Sequence, residues 1–456
     1  MTQWLWECYK QNITLAVSDP LGFKCRHHLK DPKKEMKSIS CRLIILDETG
    51  SACAKDISGN LPEVFLSREH HSWSKPIIKA VKEKYSLDIK ILRTLSETQS
   101  TRTQSCELPT ESLSTSDLIW DTLDSEGGNI DSLQDANVAT STPWTQPGWN
   151  SEAESWVSRA LFELDISQIG RLIQHRVWSV SYVAYTETNA GRIWFKASPT
   201  HFATETAVSH WMSSKFPKSS PRVIAWNQTR NWMLMKSFGA RQWDESIKQK
   251  SVGPYLKTLA QLQRRSSLYK GDLTNIGLPI KYPSLITRFI DFIGENPAKF
   301  QGMVSTKIMN QISSVLPELE KDAYALESSI IPIGLEHGDL DAGNVFIQCN
   351  NPIFTDWSDS SISHPFYTLA SFWGTKINLD VITSYYLDEW SDYGSPKQLL
   401  NEYKSVGRTA ATFRSASYLK LKDKYPSSSW WELAPYLLQM LMLIPSMRPI
   451  YEIKHS

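Results

Sequence analysis

No stretch of the 456-residue chain approaches the roughly eighteen uninterrupted apolar residues that a membrane-spanning helix requires. The first residues, MTQWLWECYKQN, lack a basic segment leading into a long apolar run, so no secretory leader is read there and a cytoplasmic protein without a membrane partner is expected. Cysteine is sparse: Cys8, Cys25, Cys41, Cys53, Cys106 and Cys349 form no C-x-x-C pair and have no histidine at zinc-ligand spacing, as expected of reduced thiols. A charge excess is missing too. The formal net charge is +1, which gives no reason to expect a nucleic-acid polymer as partner. From Ser96 to Ser155 apolar residues thin out, and eleven acidic residues face the single basic Arg102. Such a stretch buries too little apolar surface to offset its ordering entropy, so 96–153 is expected to be a linker, with Leu118-Ile119-Trp120 and Pro143-Trp144 as islands that dock.

The length predicts two to three folding units. Residues 1–95 read as a small α/β domain, with strands at Ile13–Val17, Cys41–Leu46 and Asp88–Leu92 and a helix at Ile77–Tyr85. The basic run from Lys24 to Lys37 reads as a solvated loop face. Helical spacing returns with Trp156, Ala160, Leu161 and Leu164, and Ile169–Ile173 extends it as a second short helix. Paired strands follow at Trp178–Tyr185 and Arg192–Ala197, then a helix from Phe202, then strands at Val223–Trp226 and Trp232–Met235. Beyond Gly239 the pattern is mainly helical.

The chemistry concentrates between Leu335 and Asp359, in LEHGDLDAGNVFIQCNNPIFTDWSD. Two apolar strands each deliver a polar cluster, His337-Gly338-Asp339 and Asp356-Trp357-Ser358, with Asn344 between them. Phosphoryl transfer asks for a carboxylate to orient or deprotonate a hydroxyl and for oxygen ligands to magnesium. Asp339, Asn344 and Asp356 are the right types, and D-x4-N is the spacing of a kinase catalytic loop with Gly338 in place of arginine.

Over about 165–450 the chain resembles the aminoglycoside phosphotransferase and choline kinase-like family, whose signature runs H-G-D-x4-N, an apolar strand and I-D-W. Ser363-His364-Pro365-Phe366 is similar to that family's following segment. The resemblance implies an α+β, two-lobed protein-kinase-like fold: a β-rich N-lobe at 154–238 and a helical C-lobe at 239–456, preceded by the N-terminal α/β domain. It implies ATP or GTP as donor, Mg2+ as cofactor, and a small-molecule hydroxyl as acceptor. Asp339 becomes the catalytic carboxylate, and Asn344 and Asp356 the metal ligands. Lys196, held by Glu205, contacts the nucleotide phosphates; Met235 and Ser237 lie on the hinge that reads the base. Ser179 lies in Arg176–Ser181, where the glycines of a protein-kinase loop are absent and backbone N–H groups cradle phosphate instead. Asp341, where the family often has histidine, is an acceptor candidate. So is the acidic-aromatic cluster of Tyr386, Asp388, Glu389, Trp390 and Asp392, suited to a cation.

Two other readings stand beside the small-molecule kinase. A protein kinase is disfavoured by Gly338 and by the lack of D-F-G and A-P-E elements; a pseudokinase scaffold draws support from the glycine-free hairpin. Residues 1–95 weakly resemble a degenerate Nudix-like module, but Lys79, Lys82, Glu83 and Lys84 stand where metal-binding acids belong, so no hydrolase activity is expected. Closing over the acceptor pocket and forming a homodimer are the two roles considered for it.

Overall fold

The computed structural model describes residues 38–450 apart from 48, 68–73, 99, 110–117, 123–141, 239–240, 243–248, 301–302, 371–376 and 423–429. The strand expected at Ile13–Val17, the basic run from Lys24, and Cys8 and Cys25 lie outside the described residues. Among those described, no helix is long and apolar enough to cross a membrane.

The first unit is a sheet of β1 (Ser38–Leu46), β2 (Ala52–Lys55), β3 (Glu63–Ser67), β4 (Lys90–Glu97), β5 (Thr101–Glu107) and β6 (Ile119–Thr122), in the order β4-β5-β1-β2-β6 with β3 also paired to β1. Helix α1 (Ser74–Tyr85) covers it through Ile77 and Val81. On its exposed face Lys79 pairs with Glu83, and Lys82 pairs with Asp88 just beyond the helix end. The linker expected from residue 96 is corrected here, since β5 is an inner strand running parallel to β1 from Ser40↔Thr101 to Leu46↔Glu107. Its polar side chains are buried with one another: Arg102 Nη2 and Gln104 Nε2 donate to Thr94 Oγ1 at 2.6 and 2.8 Å, and Arg102 Nη1 meets Glu97 at 3.1 Å. Mutual hydrogen bonding lets a polar segment occupy a sheet interior.

Helix α2 (Trp149–Glu163) leads into an antiparallel sheet ordered β10-β11-β9-β8-β7, built from β7 (Gln168–Trp178), β8 (Ser181–Thr188), β9 (Ile193–Ala197), β10 (Val223–Asn227) and β11 (Trp232–Lys236). The short helix expected at Ile169–Ile173 is instead part of β7, with Ile169 opposite Glu187 and Ile173 opposite Tyr185. It is an edge strand with a positive-φ Gly170 and a register shift, which breaks the alternation that would have marked it. Trp144, Trp149, Tyr182, Phe195 and Trp232 form one aromatic cluster that joins the core of both sheets. The island at Trp144 therefore docks.

The helical part comprises α3 (Glu205–Lys215), α4 (Gln249–Ser267), α5 (Ser284–Glu295), α6 (Thr306–Glu327), α7 (Phe366–Ala370), α8 (Pro396–Lys422) and α9 (Ala434–Leu443). Val208, Trp211 and Met212 of α3 belong to its core. On this base rest two small sheets: β12 (Arg241–Gln242) with β14 (Val345–Gln348) and β15 (Asn351–Phe354), and β13 (Gly334–Glu336) with β16 (Ser361–Ser363).

Candidate active site

Lys196 is the fourth residue of β9, and its side chain is buried. An ammonium there is tolerable only if paired. Its Nζ lies 2.5 Å from Glu205 Oε1 at the start of α3 and 2.8 Å from Asp356 Oδ1, while Ser198 Oγ donates to the other oxygen of Glu205. Burial alone would lower the lysine's pKa, but the Asp356 and Glu205 carboxylates hold it above its ordinary value, so Lys196 stays cationic. Asp356 is held below the usual carboxylate range: burial acts against this and the Lys196 charge outweighs it. Its side chain remains 41% exposed. Thus one ammonium ties β9, α3 and the loop after β15 together.

The H-G-D loop follows β13. His337 is fully buried against Trp357, ring centroids 4.4 Å apart. The Asp339 N–H lies 3.4 Å from Nδ1 and Nε2 lies 2.9 Å from the Thr355 carbonyl, which assigns the proton to Nε2. Burial pushes its pKa down to about 4, so it is a neutral strut. Gly338 has φ +90°, and a Cβ there would stand 2.2 Å from the Asp359 carbonyl oxygen. Only glycine allows the loop and the Asp356-Trp357-Ser358-Asp359 segment this close approach. Asn344 Nδ2 donates to the Asp339 carbonyl at 2.8 Å, and Asp341 Oδ1 caps the turn at the Asn344 N–H. One oxygen of Asp341 is thereby committed to loop structure.

Asp339 is pushed up to about 8, chiefly by burial and then by Asp359, Asp341 and Asp356. The charges of the other three aspartates thus act on Asp339 in the same sense as its burial. Among the described residues no group of three His, Cys, Asp or Glu side chains converges as a metal cage. The hard oxygen donors of Asn344 and Asp356 nevertheless fit magnesium, which keeps waters and takes phosphate oxygens to complete its shell.

Sequence reasoning missed the layer beneath. Glu336, fully buried, accepts from the Gly338 N–H at 3.0 Å, from Ser361 Oγ at 3.2 Å and from Arg414 Nη2 at 2.7 Å. The charges of Lys281 and Arg414 also act on Asp359, against its burial. Glu336 reads as the last residue of an apolar strand and Arg414 lies 78 residues on, so nothing local marks the pair.

The remaining expected site residues are placed less directly. Met235 is half-buried on β11 opposite Trp194, and the Ser237 N–H donates to the Arg192 carbonyl at 3.1 Å, so that donor is already used within the lobe. Ser179 is at the β7–β8 turn, bonded to Glu432. The expected cation-binding cluster is corrected: Tyr386 and Trp390 are buried, the first donating to Gln263 Oε1 and both packing on Phe366. Glu389 pairs with Lys257, Asp392 with Arg264, and Asp388 is exposed. The aromatic faces that a cation needs are spent on the core.

An antiparallel five-stranded lobe with a Lys–Glu pair, set on a helical lobe that carries an H-G-D loop and a second aspartate, is the protein-kinase-like fold. Among solved structures the chain is similar to a putative aminoglycoside phosphotransferase from Ralstonia eutropha (13% identity, TM-score 0.43, covering 65% of this chain and 96% of that one). Others are macrolide 2'-phosphotransferase MphH from Brachybacterium faecium (11%, 0.44, 63% and 98%) and choline kinase LicA from Streptococcus pneumoniae (12%, 0.39, 64% and 99%). No family model and no curated protein matches. Nothing in these comparisons supports the Nudix likeness.

Proposed function

We propose that this chain transfers the γ-phosphoryl group of ATP or GTP to a hydroxyl of a small molecule, with Mg2+ as cofactor. The observation that carries the reading is Lys196, buried and shared between Glu205 and Asp356, because it sets a nucleotide-phosphate cation beside a metal-ligand carboxylate. Asn344 and Asp356 would hold the ion, which would supply charge neutralisation to the transferred phosphoryl group. Asp339 orients the acceptor hydroxyl and, in its ionised form, takes its proton as the new O–P bond forms and the bond to the β-phosphate oxygen breaks. Asp341 stands near it on the acceptor side, and His337 keeps the loop in shape. The Ser179 turn is the phosphate cradle, and Met235 and Ser237 line the base side of the cleft.

A nucleotide-binding scaffold is the second reading, favoured by the engagement of the Ser179 donors with a carboxylate. Calorimetry with ATP and GTP, with and without magnesium, on the wild type and Asp356→Ala tests the site. A transfer screen over hydroxylated metabolites and aminoglycosides then separates enzyme from scaffold. Magnesium-dependent binding that the variant loses is expected; absence of binding under every condition overturns the reading.

A further inference from the structure

At the β7–β8 turn, Ser179 aims two donors at one oxygen. Its N–H is 2.8 Å and its Oγ 2.5 Å from Glu432 Oε2. Glu432 lies in the turn Trp430–Leu433 that precedes α9, 253 residues away in sequence and on the other lobe. A backbone N–H and a hydroxyl converging on a tight turn are the donors that receive a phosphate oxygen, and a carboxylate oxygen satisfies the same geometry.

The surroundings of Glu432 reach in two further directions. Arg102 and Glu97, at the polar end of the β4–β5 ladder, are close enough for their charges to act on it. Tyr436, one turn on, is close enough to Glu432, Arg176, Asp339 and Asp341 for their charges to act on it. Charged groups of the N-terminal sheet, the hairpin and the H-G-D loop thus lie near the segment that carries this carboxylate.

We propose that Glu432 is an internal competitor for the nucleotide phosphates, clasping the hairpin tip in the nucleotide-free chain and yielding Ser179 when a nucleotide enters. The proposal rests on the nucleotide site described above and adds a control on it. Nucleotide binding is then coupled to release of the clasp, and the apparent affinity is lower than the intrinsic one by the fraction of molecules already open.

The test is titration of wild type, Glu432→Ala and Glu432→Gln with magnesium ADP, together with hydrogen exchange of the nucleotide-free proteins over 176–181. Competition predicts three- to tenfold tighter ADP binding by Glu432→Ala, a smaller gain for Glu432→Gln, and faster exchange at the Ser179 amide in both. Equal or weaker binding by Glu432→Ala, with the hairpin amide exchanging faster, overturns the competition: the contact then braces the loop. If neither wild type nor variants bind, and Asp356→Ala is indistinguishable from them, the nucleotide reading itself falls and the competition with it.

Discussion

Asp339 carries the sharpest residue-scale consequence, because burial and its acidic neighbours raise its pKa from an ordinary 3.8 to about 8. The folded chain then holds a proton that the unfolded chain releases, and stability is lost as pH rises from the unfolded value through the folded one. Asp339→Asn is therefore expected to raise the melting temperature by roughly 2 °C or more at pH 8 without magnesium, and to change little at pH 4. The same variant should lose on the order of 10²–10⁴ in transfer rate, as removal of a proton-accepting group does. Lys196→Met acts in the opposite sense on stability. It strands the fully buried Glu205, at a cost of about 3–5 kcal/mol by urea unfolding, and pairing it with Glu205→Gln should recover most of the loss. Gly338→Ala meets both a positive φ and the Asp359 carbonyl, so its soluble yield should collapse where Gly271→Ala, with open space around its Cβ, does not.

Between elements, Gln174 of β7 joins the two sheets. Its side-chain amide accepts from the Ile91 N–H at 2.8 Å and donates to the Ile91 carbonyl at 2.9 Å, completing the edge of β4 as a backbone strand would. Gln174→Leu leaves both groups buried and unpaired, and about 2–4 kcal/mol of stability should disappear, read as a lower urea midpoint at unchanged slope. What could be read from sequence follows the same division between local and distant. Lys196, the strands around it and the 335–359 stretch were legible because each pattern is local and set on apolar strands. Strand β5 was not, since its polar residues find their partners across the ladder at Thr94 and Glu97. The start of strand β7, Ile169–Ile173, read as a helix because a bulge disturbs its alternation. Trp390 drew attention as a cation receptor, though only packing against Phe366 and Tyr386 could show that its ring is used inside. Glu336, Arg414 and Glu432 act through contacts 78 to 253 residues long, a range at which sequence spacing carries no signal.

At the scale of the molecule, the N-terminal sheet and the hairpin lobe share a single apolar core, from Ile39 and Leu43 through Trp149 to Leu234. A chain lacking residues 38–122 should accordingly be insoluble or molten, checked by yield and near-ultraviolet circular dichroism. A well-folded, nucleotide-binding product would instead make the sheet an independent appendage. The shared core also bears on how the protein is made. Roughly 200 residues separate Ile39 from Leu234, and ribosomes add about 5–20 residues per second, so the first sheet emerges about 10–40 s before its last core partner. During that interval Cys41, Leu43 and Ile45 have no cover from the second sheet. The nascent chain is thus expected to depend on a holding chaperone, a dependence that lies in the order of translation rather than in the finished fold.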